Sequence, residues 1–151
     1  MKIGIAITTY NRPSVIAHSI QQWRKYLPKG AVLVVVDDGS DEPFKGADYV
    51  FPSNAGIAAA KNKCIELLMD KGCTHLFLAD SDTYPKVNDW HKLYINSGAK
   101  HLCFTFPNLS NGRPNGRQYL GQRNGLAEYG SPCGCMLYIH RDIIEKIGGF
   151  D

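Results

Sequence analysis

The chain has 151 residues, and 17 Lys and Arg against 14 Asp and Glu leave a formal charge of +3. Hydrophobic residues make up 44% and charged residues 21%, ordinary for a globular protein, which excludes collagen-like, low-complexity and disordered classes. The small charge gives no nucleic-acid footprint by itself. The longest wholly apolar run, Ala31 to Val36, falls far short of the roughly 20 residues of a membrane span.

An apolar, β-branched run predicts a first strand over 2–8, which stops at Thr8, Thr9, Tyr10 and Asn11. That start has no signal-peptide core, so a reducing cytoplasm is the expected compartment. Asn11, Arg12 and Pro13 break the chain, with Pro13 near a first helical position. Ile16, Ile20, Trp23 and Leu27 then recur at helical spacing and predict a helix over 14–26. Residues 31–36 form a second strand, apolar on both faces, which suits a central parallel strand. A polar loop over 37–43 and a short strand over 49–51 follow. The next helix is expected over 57–70, with Ile57, Cys64, Leu67 and Leu68 on its inner face.

A third apolar strand, 75–79, runs into Asp80, Ser81 and Asp82. A helix over 88–97 is expected to carry Val87, Trp90 and Tyr94 inward, and Leu102, Phe104 and Phe106 alternate as in a half-buried strand. Residues 107–130 are glycine-rich and hold Arg113, Arg117 and Arg123 against one acid, Glu128. A segment this long is functional or hides a hairpin, here 117–120 and 126–129 joined through Asn124 and Gly125. A last strand over 137–140 and a short helix over 141–147 complete the pattern. Strands alternating with helices predict one α/β domain with a mostly parallel sheet and helices on both faces.

Five cysteines (Cys64, Cys73, Cys103, Cys133, Cys135) are odd in number and unframed, and read as free thiols packed as small hydrophobes. The five histidines stand singly, without metal-ligand spacing. No dinucleotide-binding glycine motif, P-loop or nucleophile elbow is present.

In open α/β sheets, ligands bind outside the carboxyl ends of the strands. Three polar clusters fall there: Thr8 to Asn11, Asp37 to Ser40, and Asp80 to Asp82. Asp80 and Asp82 lie too close to share a site comfortably without a cation or a proton. Hard carboxylate oxygens suit Mg²⁺ or Mn²⁺, which are held by one or two carboxylates plus substrate phosphates. Asp37 and Asp38 suit hydrogen bonds to a base or ribose, yet Asp-Gly-Ser is also a good turn; one acid can meet a ligand while the other caps the turn.

The motifs Thr-Thr-Tyr-Asn-Arg-Pro at 8–13, Val-Asp-Asp-Gly-Ser at 36–40, Asn-Ala-Gly at 54–56 leading to Ala-Lys-Asn at 60–62, and Leu-Ala-Asp-Ser-Asp at 78–82 resemble those of glycosyltransferases with the GT-A fold, family two in particular. Cys133, Gly134 and Cys135 through Arg141, with Gly-Gly-Phe-Asp at 148–151, resemble that family's acceptor-side segment. The resemblance implies a nucleotide-sugar donor, often UDP-linked, and the family's metal-binding Asp-x-Asp. Thr8 and Tyr10 would lie beside the nucleotide, Asp37 or Asp38 near the base or ribose, and Lys61 and Asn62 near the donor pocket. Asp80, with Ser81 beside it, would approach the ribose or sugar, and Asp82 would bind the metal. Family members continue past this last motif into a segment that supplies a general base. Here the sequence stops at Asp151, so a domain lacking that segment is expected and the catalytic residue is unassigned, Asp151 being its one candidate. The arginines of 107–130 would meet the diphosphate or a polyanionic acceptor such as DNA; a homo-oligomer stays open. Nucleotidyl transfer and a nucleotide-binding domain without turnover are the alternatives.

Overall fold

The structure is a computed structural model, and it describes residues 1–105, 117–131 and 134–151. β1 (Ile3–Thr9) leads into α1 (Pro13–Lys25), β2 (Val32–Asp37) and β3 (Tyr49–Val50). α2 (Ile57–Asp70) then returns to β4 (His75–Asp80). After α3 (Lys92–Ile95) come β5 (His101–Cys103), β6 (Arg117–Arg123), β7 (Leu126–Ser131), β8 (Met136–His140) and α4 (Arg141–Ile147).

Among the described residues, six strands form one sheet in the order β3-β2-β1-β4-β8-β5. β1 pairs in parallel with both β2 and β4, and β8 runs antiparallel to its neighbours β4 and β5. The chain therefore moves outward to one side of β1 through β2 and β3, then crosses to the other side at β4. The crevice beside the carboxyl ends of β1 and β4 is the topological switch point, where open α/β sheets bind ligands.

Period-two alternation divides the core between the two faces. Ile3, Ile5 and Ile7 pack with Ile16, Ile20 and Trp23 of α1. Ala6 and the alternate residues Val34 and Val36 pack with Ala60, Cys64, Ile65 and Leu68 of α2. Gly4 belongs to this second face because a Cβ there would stand 2.7 Å from both Cys73 Sγ and Leu68 Cδ2. The helices on both faces, expected from the strand-helix alternation, are thus present.

Three local expectations change. The helix expected over 88–97 shrinks to Lys92–Ile95, because Asp89 takes a left-handed φ of 60° and interrupts the helical path. Trp90 is nevertheless buried, its Nε1 donating to the Tyr26 carbonyl at 3.1 Å, while Val87 faces solvent. The strand expected over 101–106 ends at Cys103, with one further ladder bond from Phe104 N to the Met136 carbonyl; Phe106 lies outside the described residues. The hairpin is present and longer than expected: β6 pairs antiparallel with β7 through Asn124 (φ 52°) and Gly125 (φ 78°), the two positive angles of a type I′ turn.

Candidate active site

The loop after β2 is wired to backbone. Asp37 is fully buried; its Oδ1 accepts from Ser40 N and its Oδ2 from Phe44 N, each at 2.8 Å. Asp38 reaches the other way, to the start of α2. Its Oδ1 accepts from Ala55 N at 2.9 Å, and its Oδ2 from Gly56 N and Asn54 Nδ2 at 3.1 Å each. Gly39 makes this stitching feasible: at φ 78°, a Cβ would lie 2.2 Å from the Ser53 carbonyl carbon. The loop after β1 joins the same frame, since Asn11 N donates to Ser40 Oγ at 2.8 Å and Asp41 N to Asn11 Oδ1 at 2.9 Å.

The loop after β4 is wired to side-chain cations instead. Lys61, on α2, is only 5% exposed at its side chain and donates from Nζ to Asp80 Oδ1 at 2.7 Å. Arg12 Nη1 meets Asp82 Oδ2 at 3.0 Å, with both side chains more than half exposed. Among the described residues, the second oxygens of Asp80 and Asp82 have no protein partner. Ser81 is buried between them. The turn itself is held by Thr83 N donating to the Asp80 carbonyl at 3.0 Å and Trp23 Nε1 donating to the Thr83 carbonyl at 2.8 Å.

These loops enclose a cleft of about 330 Å³. Its lining comes from the loop after β1 (Thr8, Thr9, Tyr10, Arg12), from Asp38 after β2, from Asn54 and Gly56 with Ile57 and Ala60 of α2, and from Asp80 at the end of β4. A larger cavity of about 780 Å³ lies between α1 and the 44–48 turn. We place the site in the smaller cleft because the polar strand ends converge there. Ile57 corrects an expectation: it is 63% exposed rather than core. α2 begins beyond the strand ends, so its first residue overhangs the cleft while Ala60, Cys64 and Leu68 cover the sheet.

The cleft gathers Thr8, Tyr10, Asp38 and Asp80, with Lys61 and Asp82 joined to it through Asp80 and Arg12. Two expected residues are used elsewhere. Asp37 does not line the cleft, being consumed by the turn. Asn62 points toward the chain terminus, its amide accepting from Phe150 N and donating to the Phe150 carbonyl at 2.7 Å each. Adjacent positions on a helix diverge by about 100°, so Lys61 and Asn62 cannot both face Asp80. Asp151 follows that clamp and is exposed.

In the hairpin, Arg123 Nε pairs with Glu128 at 3.0 Å, so this cation already has a partner. Arg113, the Arg117 side chain and Cys133 lie outside the described residues. Burial pushes the Cys64 thiol up to about 12, which fits an inert packed cysteine.

The sequence pattern missed two groups. Thr9 is 4% exposed, lines the cleft, and its Oγ1 has no hydrogen-bond partner among the described residues. Arg12 stood in the first motif without a role. Two juxtaposed threonines and a basic residue before Pro13 were the available signals, and neither says which side chain turns inward.

No family model matches the sequence. The chain is 30% identical, over an alignment 170 residues long, to an uncharacterized glycosyltransferase of Acanthamoeba polyphaga mimivirus, covering 99% of this chain and 66% of that protein. It therefore spans just under two thirds of that relative's length. Its fold is similar to S. aureus TarS 1-349 in complex with UDP-GlcNAc, with TM-score 0.65, 18% identity, and coverage of 97% of this chain and 47% of that one. It is similar also to the mannosyltransferase PcManGT from Pyrobaculum calidifontis in complex with GDP-Man and Mn²⁺, with TM-score 0.65, 14% identity, and coverage of 99% and 47%.

The sheet order and these likenesses define a mostly parallel α/β fold of the GT-A type. The chain's sequence is similar to that of the mimivirus glycosyltransferase, and it shares the fold of PcManGT and TarS.

Proposed function

We propose that this chain transfers a sugar from a nucleotide-sugar donor, UDP-linked, to an acceptor, with a divalent metal at Asp82. The observation that carries the reading is the meeting of Thr8, Tyr10, Asp38 and Asp80 in one cleft at the switch point. Tyr10, 44% exposed, offers a ring face to a base at the cleft mouth, with Ile57 contributing apolar surface to the same cleft. Asp38 presents carboxylate oxygens fixed by three donors, which suit a base N–H or ribose hydroxyl. Thr9 lines the same cleft, and its buried hydroxyl has no hydrogen-bond partner among the described residues, a costly state for a polar group. Lys61 holds Asp80 in one orientation and brings positive charge to the place where a diphosphate would lie.

The donor set fits a hard divalent ion. Asp82 is exposed and has a carboxylate oxygen without a protein partner among the described residues. No group of three or more His, Cys, Asp or Glu is arranged there among the described residues. One carboxylate completed by diphosphate oxygens is an ordinary arrangement for Mg²⁺ or Mn²⁺. When bound, such an ion would neutralise charge on the departing diphosphate.

No helix among the described residues is long and apolar enough to cross a membrane. The PcManGT complex with GDP-Man and Mn²⁺ and the TarS complex with UDP-GlcNAc support a nucleotide-sugar reading. The test is release of nucleoside diphosphate from a panel of UDP- and GDP-sugars with and without Mn²⁺. Metal-dependent release from one UDP-sugar is expected. Preference for GDP-sugars would overturn the uridine assignment, and tight nucleotide binding with no release from any sugar would favour a binding domain.

A further inference from the structure

We infer that Arg12 is an exchangeable counter-ion: it holds Asp82 while the metal is absent and transfers to the donor's diphosphate when the metal arrives. The inference rests on the metal and donor reading above and adds a residue to it.

The two ion pairs of the site differ in kind. Lys61 is 5% exposed and sits beneath Asp80, so its pairing belongs to the folded scaffold. Arg12 and Asp82 are 55% and 56% exposed, and a pair so wet adds little stability and breaks easily. Arg12 also lines the cleft, so its guanidinium is already next to the space a ligand would fill. Its backbone carbonyl receives Ile16 N at 3.0 Å and Pro13 opens α1, so the main chain is anchored while the side chain can swing.

Charge balance gives the direction of the exchange. In the free site Lys61 and Arg12 match Asp80 and Asp82 one for one. A divalent cation on Asp82 makes the Arg12 guanidinium a like-charge neighbour, which disfavours its old position. A diphosphate brought in with that cation offers Arg12 a new, planar and bidentate partner. Arg12 therefore opposes metal alone and favours metal with nucleotide.

Opposite signs for two ligands make the test specific. Mn²⁺ and UDP are titrated calorimetrically, separately and together, into the full chain, Arg12→Met and Arg12→Lys. Arg24→Met, which removes the same charge from the other end of α1, serves as control. Arg12→Met is expected to bind Mn²⁺ alone about two- to fivefold more tightly. The same variant is expected to bind UDP in the presence of Mn²⁺ about tenfold more weakly. Arg12→Lys should restore the parent's Mn²⁺ affinity but only part of its UDP affinity, and Arg24→Met should match the parent in both. If the parent shows Mn²⁺-dependent UDP binding while Arg12→Met shifts both affinities in the same direction, or neither, the exchange is wrong and the donor site stands. Equal tightening of Mn²⁺ binding by Arg24→Met would reduce the effect to net charge and also overturn it. A parent that binds neither Mn²⁺ nor UDP would overturn the donor reading and the exchange together.

Discussion

The loops after β2 and β4 each carry two aspartates at a strand end, yet they are built oppositely. Asp37 and Asp38 accept from backbone N–H groups and an asparagine amide, so their carboxylates hold the scaffold together. Asp80 and Asp82 accept from a lysine and an arginine and each keep an oxygen without a partner among the described residues. Acids bonded to amides cannot be released without leaving buried donors unpaired. An acid bonded to an exposed side-chain cation, as Asp82 is, can change partners because the cation can move or be screened, whereas buried Lys61 keeps Asp80 in place. Asp37 only shapes the cleft, Asp38 both shapes and lines it, and the second pair meets what enters it.

Substitutions should separate these roles. Asp37→Ala leaves Ser40 N and Phe44 N without their acceptor and should lower unfolding free energy by about 3 kcal/mol in urea melts. Loss of nucleotide binding with unchanged stability would instead make Asp37 a ligand. Lys61→Met should weaken UDP binding about tenfold, measured by titration. Its stability cost should stay near 1 kcal/mol, because Asp80 is 38% exposed and regains water. Trp23→Phe removes the bond to the Thr83 carbonyl while keeping an aromatic ring in the core. It should cost about 2 kcal/mol, the lost bond plus the volume removed from a fully buried site, and weaken Mn²⁺-dependent binding modestly, since the Asp80–Asp82 turn loses a tether.

The smallest effect comes from two histidines, His75 at the start of β4 and His91 just before α3. Burial holds the His75 and His91 imidazoles below the usual histidine range, with the neighbouring His140 adding to the effect at His75. Each thus binds its proton more weakly folded than unfolded. Their stabilising contribution is complete above the unfolded value of about 6.5 and is lost as pH falls through it toward the depressed folded value. Tm should therefore drop by a few degrees between about pH 7 and 5, and His75→Gln should flatten that drop. A Tm unchanged over this range in the parent would contradict the burial of these imidazoles.

Much of the fold was legible because its signals are local. Apolar β-branched runs, helical spacing and Asn-Gly at 124–125 each specify geometry within a few residues. The failed helix around 88–97 shows the limit: its apolar spacing was helical, but Asn88 and Asp89 favour turn geometry, and Asp89 adopts it. At the site, the sequence identified the strand-end acids but could not divide them. Asp37 and Asp38 differ only in which side of the strand they leave from, and that decides between a turn and the start of α2. The same holds for Lys61 and Asn62, whose partners Asp80 and Phe150 lie 19 and 88 residues away. Arg12 and Thr9 gained meaning only when tertiary packing showed what stood opposite them.

The most direct test is calorimetric titration of UDP, with and without Mn²⁺, into the parent and Asp82→Ala. Asp82 is exposed, so the variant should keep the parent's Tm. The parent should bind UDP more tightly when Mn²⁺ is present, and Asp82→Ala should lose that dependence. An Asp82→Ala chain that binds UDP and Mn²⁺ like the parent would show that the β4 loop does not hold the metal.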